Sequence, residues 1–374
     1  MVVNPALILV SALFFLALAS AFYLIAWCVA SAFMRAGRGR FSHAANKRVL
    51  VLSLALPPVL TMIPTFGGAT LRHSHMTDLT EHHSPVCQQM FTHLFAAERL
   101  AGPAATASDI AGTLVNGVAW LLIGTGAFLL VRLVRATLSL ESGLTPFLKS
   151  PSSRLSDALV RVGRRMPGLS PGRFFECALP ATYSSVLGLR RVRCVLSREF
   201  VAAASEEELD AVIAHEANHL RAHDVPVTLM VGALNCLFFP LRPVRLLARR
   251  WREEAELACD DAAVAVTRQP LALAAAILRV VGAPVSSDRT GRSLPTIAMP
   301  FADEAACSAN KRVERLIVQA QAAALPTSHE SAGQVWAGWL MTLTLAGLGA
   351  VILLSPGMIC YAHCTLEAVS RLLP

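Results

Sequence analysis

The chain has 374 residues, of which 54% are hydrophobic and only 16% charged, and its mean hydropathy is +0.53. This composition favours an integral membrane protein over a soluble globular enzyme. The formal net charge is +8, but the basic residues flank apolar segments instead of forming a recognition module, which argues against direct nucleic-acid binding.

Four apolar segments approach the roughly 20 residues that a helix needs to cross about 30 Å of hydrocarbon. They cover residues 6–34, 49–66, 111–134 and 335–356. The second is short and contains three prolines, which membrane helices tolerate when neighbouring groups satisfy the freed carbonyls. We therefore predict a mainly α membrane protein with about four transmembrane helices.

The basic residues indicate the orientation of these helices. Residues 35–48 contain five basic residues and no acidic one, whereas residues 67–110 contain two arginines and four acidic residues. Residues 135–334 are again rich in arginine. By the positive-inside rule, 35–48 and 135–334 are cytoplasmic, and 67–110 and both termini lie outside the cell membrane.

A further apolar stretch, residues 227–241, has 15 residues and is short for a span. Five arginines follow it between residues 242 and 252, which would hold its end on the basic side. We expect a buried or half-embedded hairpin there. If the stretch crossed the membrane instead, the fourth helix would run the other way and the C-terminal tail would be cytoplasmic.

Residues 206–224 read EEELDAVIAHEANHLRAHD, and their apolar residues recur at helical spacing. Ser205 is a predicted N-cap, with Glu208 three residues later as its capping-box partner. On this helix, the side chains one turn apart project from the same face.

Two imidazoles on that face, His215 and His219, have the HExxH spacing that binds one zinc ion. Glu216 lies beside them and is the predicted general base, because zinc lowers the pKa of a water that it holds to about 7. A catalytic site also needs a third protein ligand. A second predicted helix, residues 253–261 (EEAELACDD), supplies Glu256 for that position.

Two further carboxylates are candidates for holding an imidazole N–H and so orienting a ligand. They are Asp260, one turn after Glu256, and Asp224, shortly after His219. Glu253 and Glu254 are interpreted as solvated residues at the start of the second predicted helix.

The motif HEANHLRAHD followed by ELACD resembles the gluzincin membrane peptidases, and most of all the BlaR/MecR-type peptidases. The Ste24/HtpX-type peptidases share the motif. The resemblance implies four spans, a cytoplasmic zinc domain and one catalytic Zn2+ ion. It also implies a role for each matched residue: His215, His219 and Glu256 as metal ligands, Glu216 as the base, and Asp260 as a partner of a ligand.

The resemblance gives the expected domain organisation. Residues 1–134 would hold three transmembrane helices and a His-rich outer loop, residues 135–334 the zinc peptidase domain, and residues 335–374 the last transmembrane helix with a short outer tail. Antibiotic-sensing members carry a large extracellular sensor after the last span. Only residues 357–374 follow it here, which argues against β-lactam sensing.

A small β hairpin is expected just before the metal helix. Residues 174–178 and 191–196 read as short strands, with residues 183–188 between them. In similar peptidases the edge strand of such a hairpin binds the substrate in extended form. A purely structural hairpin remains the alternative.

Histidines and cysteines gather on the predicted outer face. They are His73, His75, His82, His83, His93 and Cys87 in the loop, and Cys360, His363 and Cys364 in the tail. Either the loop binds a transition metal and signals inward, or it is a solvated loop with one disulfide. The nine cysteines contain no CxxC pair, so no cysteine zinc site is predicted.

The sequence thus predicts a membrane-embedded zinc metalloendopeptidase acting on cytoplasmic or membrane-proximal proteins. The resemblance implies regulated signalling proteolysis, for instance of a transcriptional repressor, and an oligomer is possible. Two alternatives stay open: a housekeeping quality-control protease, and a non-proteolytic zinc-binding signal transducer. The second alternative gives no reason for a base such as Glu216 beside the ligands.

Overall fold

The computed structural model describes residues 5–36, 41–75, 105–178, 184–188, 192–281 and 302–321, and these residues are mostly helical. The helices are α1 (Pro5–Ala36), α2 (His43–His75), α3 (Ala105–Leu144), α4 (Ser153–Arg165), α5 (Arg198–Ala203), α6 (Glu206–Arg221), α7 (Asp224–Leu237), α8 (Arg242–Thr267), α9 (Pro270–Val281) and α10 (Ala302–Gln321). The predicted fourth span, the outer tail and most of the His-rich loop lie outside the described residues.

Two helices of the described part are long and apolar enough to cross a membrane. Their candidate spanning stretches are Leu18–Arg35 in α1 and Trp120–Phe147, which begins in α3 and ends in the short 3-10 turn after it. On α3, Trp120, Leu121 and Phe128 are exposed, as lipid-facing side chains would be. Helix α2 covers the predicted second span and has 33 residues, or about 50 Å of helix. The count of four transmembrane helices stays a prediction.

The short apolar stretch at 227–241 falls mainly in α7, a helix of 14 residues. Such a helix is about 21 Å long, which is less than the hydrocarbon thickness. It packs closely on α3: a Cβ at Gly126 would lie 3.3 Å from the carbonyl oxygen of Cys236, and one at Gly232 would lie 3.1 Å from the Leu133 side chain. Glycine at both positions lets the two backbones approach.

The β element is larger than the predicted hairpin. Its strands are β1 (Leu148–Lys149), β2 (Phe174–Cys177), β3 (Ser184–Leu187) and β4 (Arg193–Ser197), in the order β1-β2-β4-β3. Strands β3 and β4 form the antiparallel pair. The first predicted strand, β2, pairs with β4 in parallel instead, because the chain between them makes β3 before it returns.

The main core of the described domain surrounds α6. Leu209, Ile213 and Ala214 of this helix are fully buried, among apolar side chains of α4, β4 and α9. Burial of one such aliphatic side chain contributes about 1.5–3 kcal/mol. Asp210 of α6 accepts hydrogen bonds from the Arg161 guanidinium of α4, the shortest being 2.9 Å. The helix with the HExxH motif is therefore held on several sides by apolar packing and by an ion pair.

The predicted capping box at the start of α6 is present. The Ser205 hydroxyl accepts a hydrogen bond from the Glu208 backbone N–H at 3.1 Å, and the Glu208 carboxylate accepts one from the Ser205 N–H at 2.9 Å. Glu208 also pairs with Arg279 of α9 at 3.2 Å. The cap thus fixes where the helix begins.

We predict that Ser205→Ala lowers the free energy of unfolding by about 1 kcal/mol, because the Glu208 backbone N–H loses the Ser205 hydroxyl as its acceptor. Thermal unfolding of the detergent-purified protein checks this. Ser142→Ala removes an exposed serine that bonds only locally within α3 and should change stability by less than about 0.5 kcal/mol. Equal effects of the two substitutions would contradict the assigned cap.

Candidate metal centre

Helices α6 and α8 bring two imidazoles and one carboxylate together, as predicted for His215, His219 and Glu256. The Nε2 atoms of His215 and His219 are 3.1 Å apart. Oε2 of Glu256 lies 3.6 Å from Nε2 of His215, and Oε1 lies 3.6 Å from Nε2 of His219. These residues form a group in which the candidate ligand atoms lie within 4.8 Å of one another.

The spacing of this group fits a zinc ion. Two nitrogens bound tetrahedrally at 2.0–2.1 Å would lie roughly 3.3 Å from each other. A cation among these three groups would accept a lone pair from each neutral imidazole and offset the charge of the Glu256 carboxylate. The Glu256 side chain keeps 36% of its surface accessible, so the site can be approached from that side.

Asp260 lies on the far side of the His215 ring. Its Oδ1 is 3.0 Å from Nδ1 of His215, although the contact is too bent to satisfy the geometry of a hydrogen bond. The carboxylate is completely buried. The carboxylate thus lies beside Nδ1 of His215, at the position that the predicted orienting role of Asp260 requires.

Asp224 makes the corresponding contact with the second ring. Nδ1 of His219 donates a hydrogen bond to Oδ2 of Asp224 at 2.8 Å. The chain reverses between the two residues because His223 adopts a left-handed conformation with φ of 56°, which starts α7 beside the end of α6. The structure therefore brings the second predicted orienting carboxylate to the site as well.

Glu216 is buried next to the two imidazoles on α6. Its charge is among the causes that raise the pKa of Arg312, and it adds to burial in raising the pKa of the Cys194 thiol on β4. The Glu216 carboxylate is therefore near enough to α10 and to β4 for its charge to act on both.

No sequence pattern indicated Arg312, which lies on α10 and binds two acidic residues of α8, Glu256 and Asp260. Its Nη1 donates to Oε2 of Glu256 at 2.6 Å, and its Nη2 and Nε donate to the two oxygens of Asp260 at 2.7 and 2.8 Å. A planar guanidinium suits such a bidentate contact. No motif marks this arginine, because it is one basic residue on an amphipathic helix far along the chain.

These contacts shift the pKa values of the groups around the donors. Burial by itself raises the pKa of Glu256 and of Asp260, but the charge of Arg312 and the contact with His215 outweigh it and lower both. Burial lowers the pKa of His215, and the pairing with Asp260 and Glu256 outweighs it and raises that pKa to about 10. In the metal-free protein the two carboxylates are therefore ionised at neutral pH, while His215 holds a proton that a bound metal would displace.

Lys47 and Cys259 are two further neighbours of the site that the sequence did not indicate. Nζ of Lys47, from α2, contacts Oδ1 of Asp224, and Sγ of Cys259 lies 3.4 Å from Nδ1 of His219. His219, Asp224 and Cys259 could geometrically hold a second metal. Burial and the charge of Asp224 raise the pKa of the thiol, and the Lys47 ammonium occupies the carboxylate, so this group does not suit a cation.

The two glutamates interpreted as a solvated helix start behave differently from each other. Helix α8 begins at Arg242, so both lie well inside it. Glu253 is 46% exposed and lies 3.6 Å from Arg249, so it is solvated as predicted although it does not lie at a helix start. For Glu254 the interpretation was wrong: its side chain is only 17% exposed and accepts from His43 of α2 at 2.7 Å.

Residues 49–293, which include most of α2, the sheet and both helices that carry the donor group, match the BlaR1 peptidase M56 family. The chain belongs to the BlaR1 peptidase M56 family. This confirms the resemblance of its motifs, and it implies metallopeptidase activity with a metal ion that is typically zinc. Members of this family are typically membrane-bound, in agreement with the two apolar helices.

One curated relative is the plastoglobule-localized metallopeptidase 48, chloroplastic, of Arabidopsis thaliana. It is 29% identical over 115 residues, which are 29% of this chain and 33% of the relative. The match thus spans about a third of that protein's length. No solved structure matches the chain significantly.

We predict that Arg312→Met lowers the free energy of unfolding by about 3–5 kcal/mol, because it leaves the buried Asp260 carboxylate without its cation. Arg315→Met is the matched control on the same helix. Arg315 pairs with Asp261 at a more exposed position, so its loss should cost much less. Thermal unfolding of both variants measures the difference, and similar losses would contradict the assigned contacts of Arg312.

Proposed function

We propose that this protein is a membrane-embedded zinc metalloendopeptidase with one catalytic Zn2+ ion held by His215, His219 and Glu256. The observation that supports this is the convergence of two Nε2 atoms and one carboxylate at 3.1 to 3.6 Å, with a carboxylate beside the outer nitrogen of each ring. Three protein ligands leave the fourth position for the reaction, as in catalytic zinc sites.

Each neighbouring residue has a role in this proposal. Zinc supplies Lewis-acid activation of water and of the scissile carbonyl. A carboxylate oxygen of Glu216 accepts the proton of the attacking water and returns it to the leaving amine. Asp260 and Asp224 keep the two imidazoles in the tautomer that presents Nε2. Arg312 keeps Glu256 ionised and fixed.

The sheet beside α6 supports an extended protein or peptide substrate. Strand β3 ends the strand order, so one of its edges is not paired within the sheet, and it lies against α6. An extended peptide could add to this edge through main-chain hydrogen bonds, with its scissile bond carried towards the donor group. A bound strand would favour cleavage inside a chain over removal of single terminal residues.

We further propose that residues 135–334 form a cytoplasmic peptidase domain in a multi-pass protein of the cell membrane. The arginine-rich composition of this segment and the five basic residues at 35–48 support that orientation. Substrates would then be cytoplasmic or membrane-proximal proteins. Regulated signalling proteolysis is the proposed role, and a transcriptional repressor is one candidate substrate.

The central test compares the purified wild-type protein with Glu216→Gln. Both should bind one zinc ion, and only the wild type should cleave casein or itself, with a loss of at least about 10²-fold in the variant because general base catalysis is removed. Glu253→Gln is the matched control, since Glu253 is an exposed carboxylate on α8. Zinc binding without cleavage by the wild type would favour a non-proteolytic transducer, and no zinc binding would refute the proposal.

Substrate trapping with the Glu216→Gln variant addresses the role. Mass spectrometry of the captured proteins should find one DNA-binding regulator if the protease acts in signalling. A broad set of membrane proteins would instead indicate quality control. The Glu253→Gln protein provides the background of non-specific capture.

The orientation predicts the behaviour of topology reporters. Alkaline phosphatase is active only outside the cytoplasm, so a fusion after Pro374 should be active and a fusion after Gln321 inactive. Green fluorescent protein at the same positions should give the opposite pattern. An inactive phosphatase after Pro374 would place the tail in the cytoplasm, as expected if residues 227–241 cross the membrane.

A further inference from the structure

The first turn of α2 makes a buried ion pair next to the candidate metal centre. Nζ of Lys47 contacts Oδ1 of Asp224, and the two side chains are only 11% and 6% exposed. Basic residues that flank a span normally reach into water. An ammonium buried this far must be compensated by its partner, since breaking such a pair leaves an uncompensated charge.

The two oxygens of Asp224 divide their contacts between α2 and α6. Oδ2 accepts the hydrogen bond from Nδ1 of His219 at 2.8 Å, while Oδ1 is buried and has the Lys47 ion pair as its charged contact. Lys47 therefore fixes the rotation of the carboxylate that orients the His219 ring. Without the ammonium, the Asp224 carboxylate would be held only through Oδ2, by the His219 hydrogen bond and by the Cys259 thiol at 3.8 Å.

The same turn of α2 also contacts the helix that carries Glu256. Oε2 of Glu254 lies 2.7 Å from Nδ1 of His43 and accepts a hydrogen bond from Asn46 at 3.2 Å. Beyond this turn, Leu50 and Leu54 of α2 pack in one buried cluster with side chains of α8, including Leu247 and Trp251. Docking of α2 is thus coupled to both helices that supply metal donors.

We propose that Lys47 is a positioning residue that, through Asp224, couples the docking of α2 to the affinity of the centre for zinc. The inference rests on the proposed zinc binding by His215, His219 and Glu256. Helix α2 continues into the predicted second membrane span, so a displacement of that span would withdraw Lys47 and loosen His219. Because coupling between two events is reciprocal, zinc binding must also stabilise the docked first turn of α2.

Zinc affinity of the purified full-length protein, measured by competition with a chelating dye, tests the proposal. Lys47→Met keeps the approximate length of the side chain and removes its charge. It should weaken zinc binding about tenfold, which is the lower end of the loss in metal affinity expected when a residue that supports a ligand is replaced. Asp224→Asn should weaken it at least as much. The double variant should bind no more weakly than Asp224→Asn alone, because Lys47 acts through Asp224.

Arg35→Met is the matched control, because it removes an exposed basic residue from the end of α1. It should leave zinc affinity unchanged. Wild-type affinity in Lys47→Met, or additive losses in the double variant, would overturn the inference. The zinc content of the wild type is measured in the same titration, so a failure of zinc binding itself would be recognised as failure of the proposed function.

Hydrogen exchange of the wild type gives a second test that needs no variant. Removal of zinc should speed amide exchange in the first turns of α2, residues 43–50, while α4 keeps its protection. Unchanged exchange in α2 would refute the coupling. Equal loss of protection in α4 would also refute it, since it would indicate general unfolding instead of a specific connection.

Discussion

The described domain depends on how two neighbouring imidazoles of one buried helix are balanced electrostatically. His215 and His219 point their Nε2 atoms at each other across 3.1 Å, an arrangement that is unfavourable unless a cation or a proton lies between them. Nδ1 of His215 faces the Asp260 carboxylate, and Nδ1 of His219 faces the Asp224 carboxylate. Those carboxylates in turn need cations, because buried negative charge without compensation costs several kcal/mol.

This requirement explains why helices from distant parts of the chain meet here. Arg312 of α10 compensates Asp260 and Glu256, and Lys47 of α2 compensates Asp224. The apolar cores place the helices approximately, since burial has no directional preference. The charged contacts then fix the rotation of each side chain, and a metal site tolerates little error in those rotations. The packing of these helices and the orientation of the donor side chains therefore depend on the same ion pairs.

The position of α2 gives the site a connection to the membrane. Its first turn touches the partner of one ligand and lies against the helix of another, whereas its later turns enter the predicted second span. If the proposed coupling holds, a shift of this helix in the bilayer alters the geometry of the donors.

Much of the site could be predicted because it depends on local periodicity. His215, Glu216 and His219 are within one helical turn of one another, Ser205 and Glu208 form a cap over three residues, and the family match confirms the resemblance that these motifs carry. Glu256 was predicted from the need for a third ligand, and the structure brings it to the two imidazoles. Family membership and the mainly helical class followed from these patterns.

Only the tertiary structure decided which distant charges complete the site. Lys47 and Arg312 look like ordinary basic residues in the sequence, and Glu254 looks like a solvated glutamate, yet all three make buried or half-buried pairs across helices. The parallel pairing of β2 with β4 was likewise invisible, because strand propensity carries no information about the partner. The sequence alone determines the chemical groups and their spacing along one helix. Long-range packing determines which opposite charges lie near them, and that sets their ionisation and their orientation.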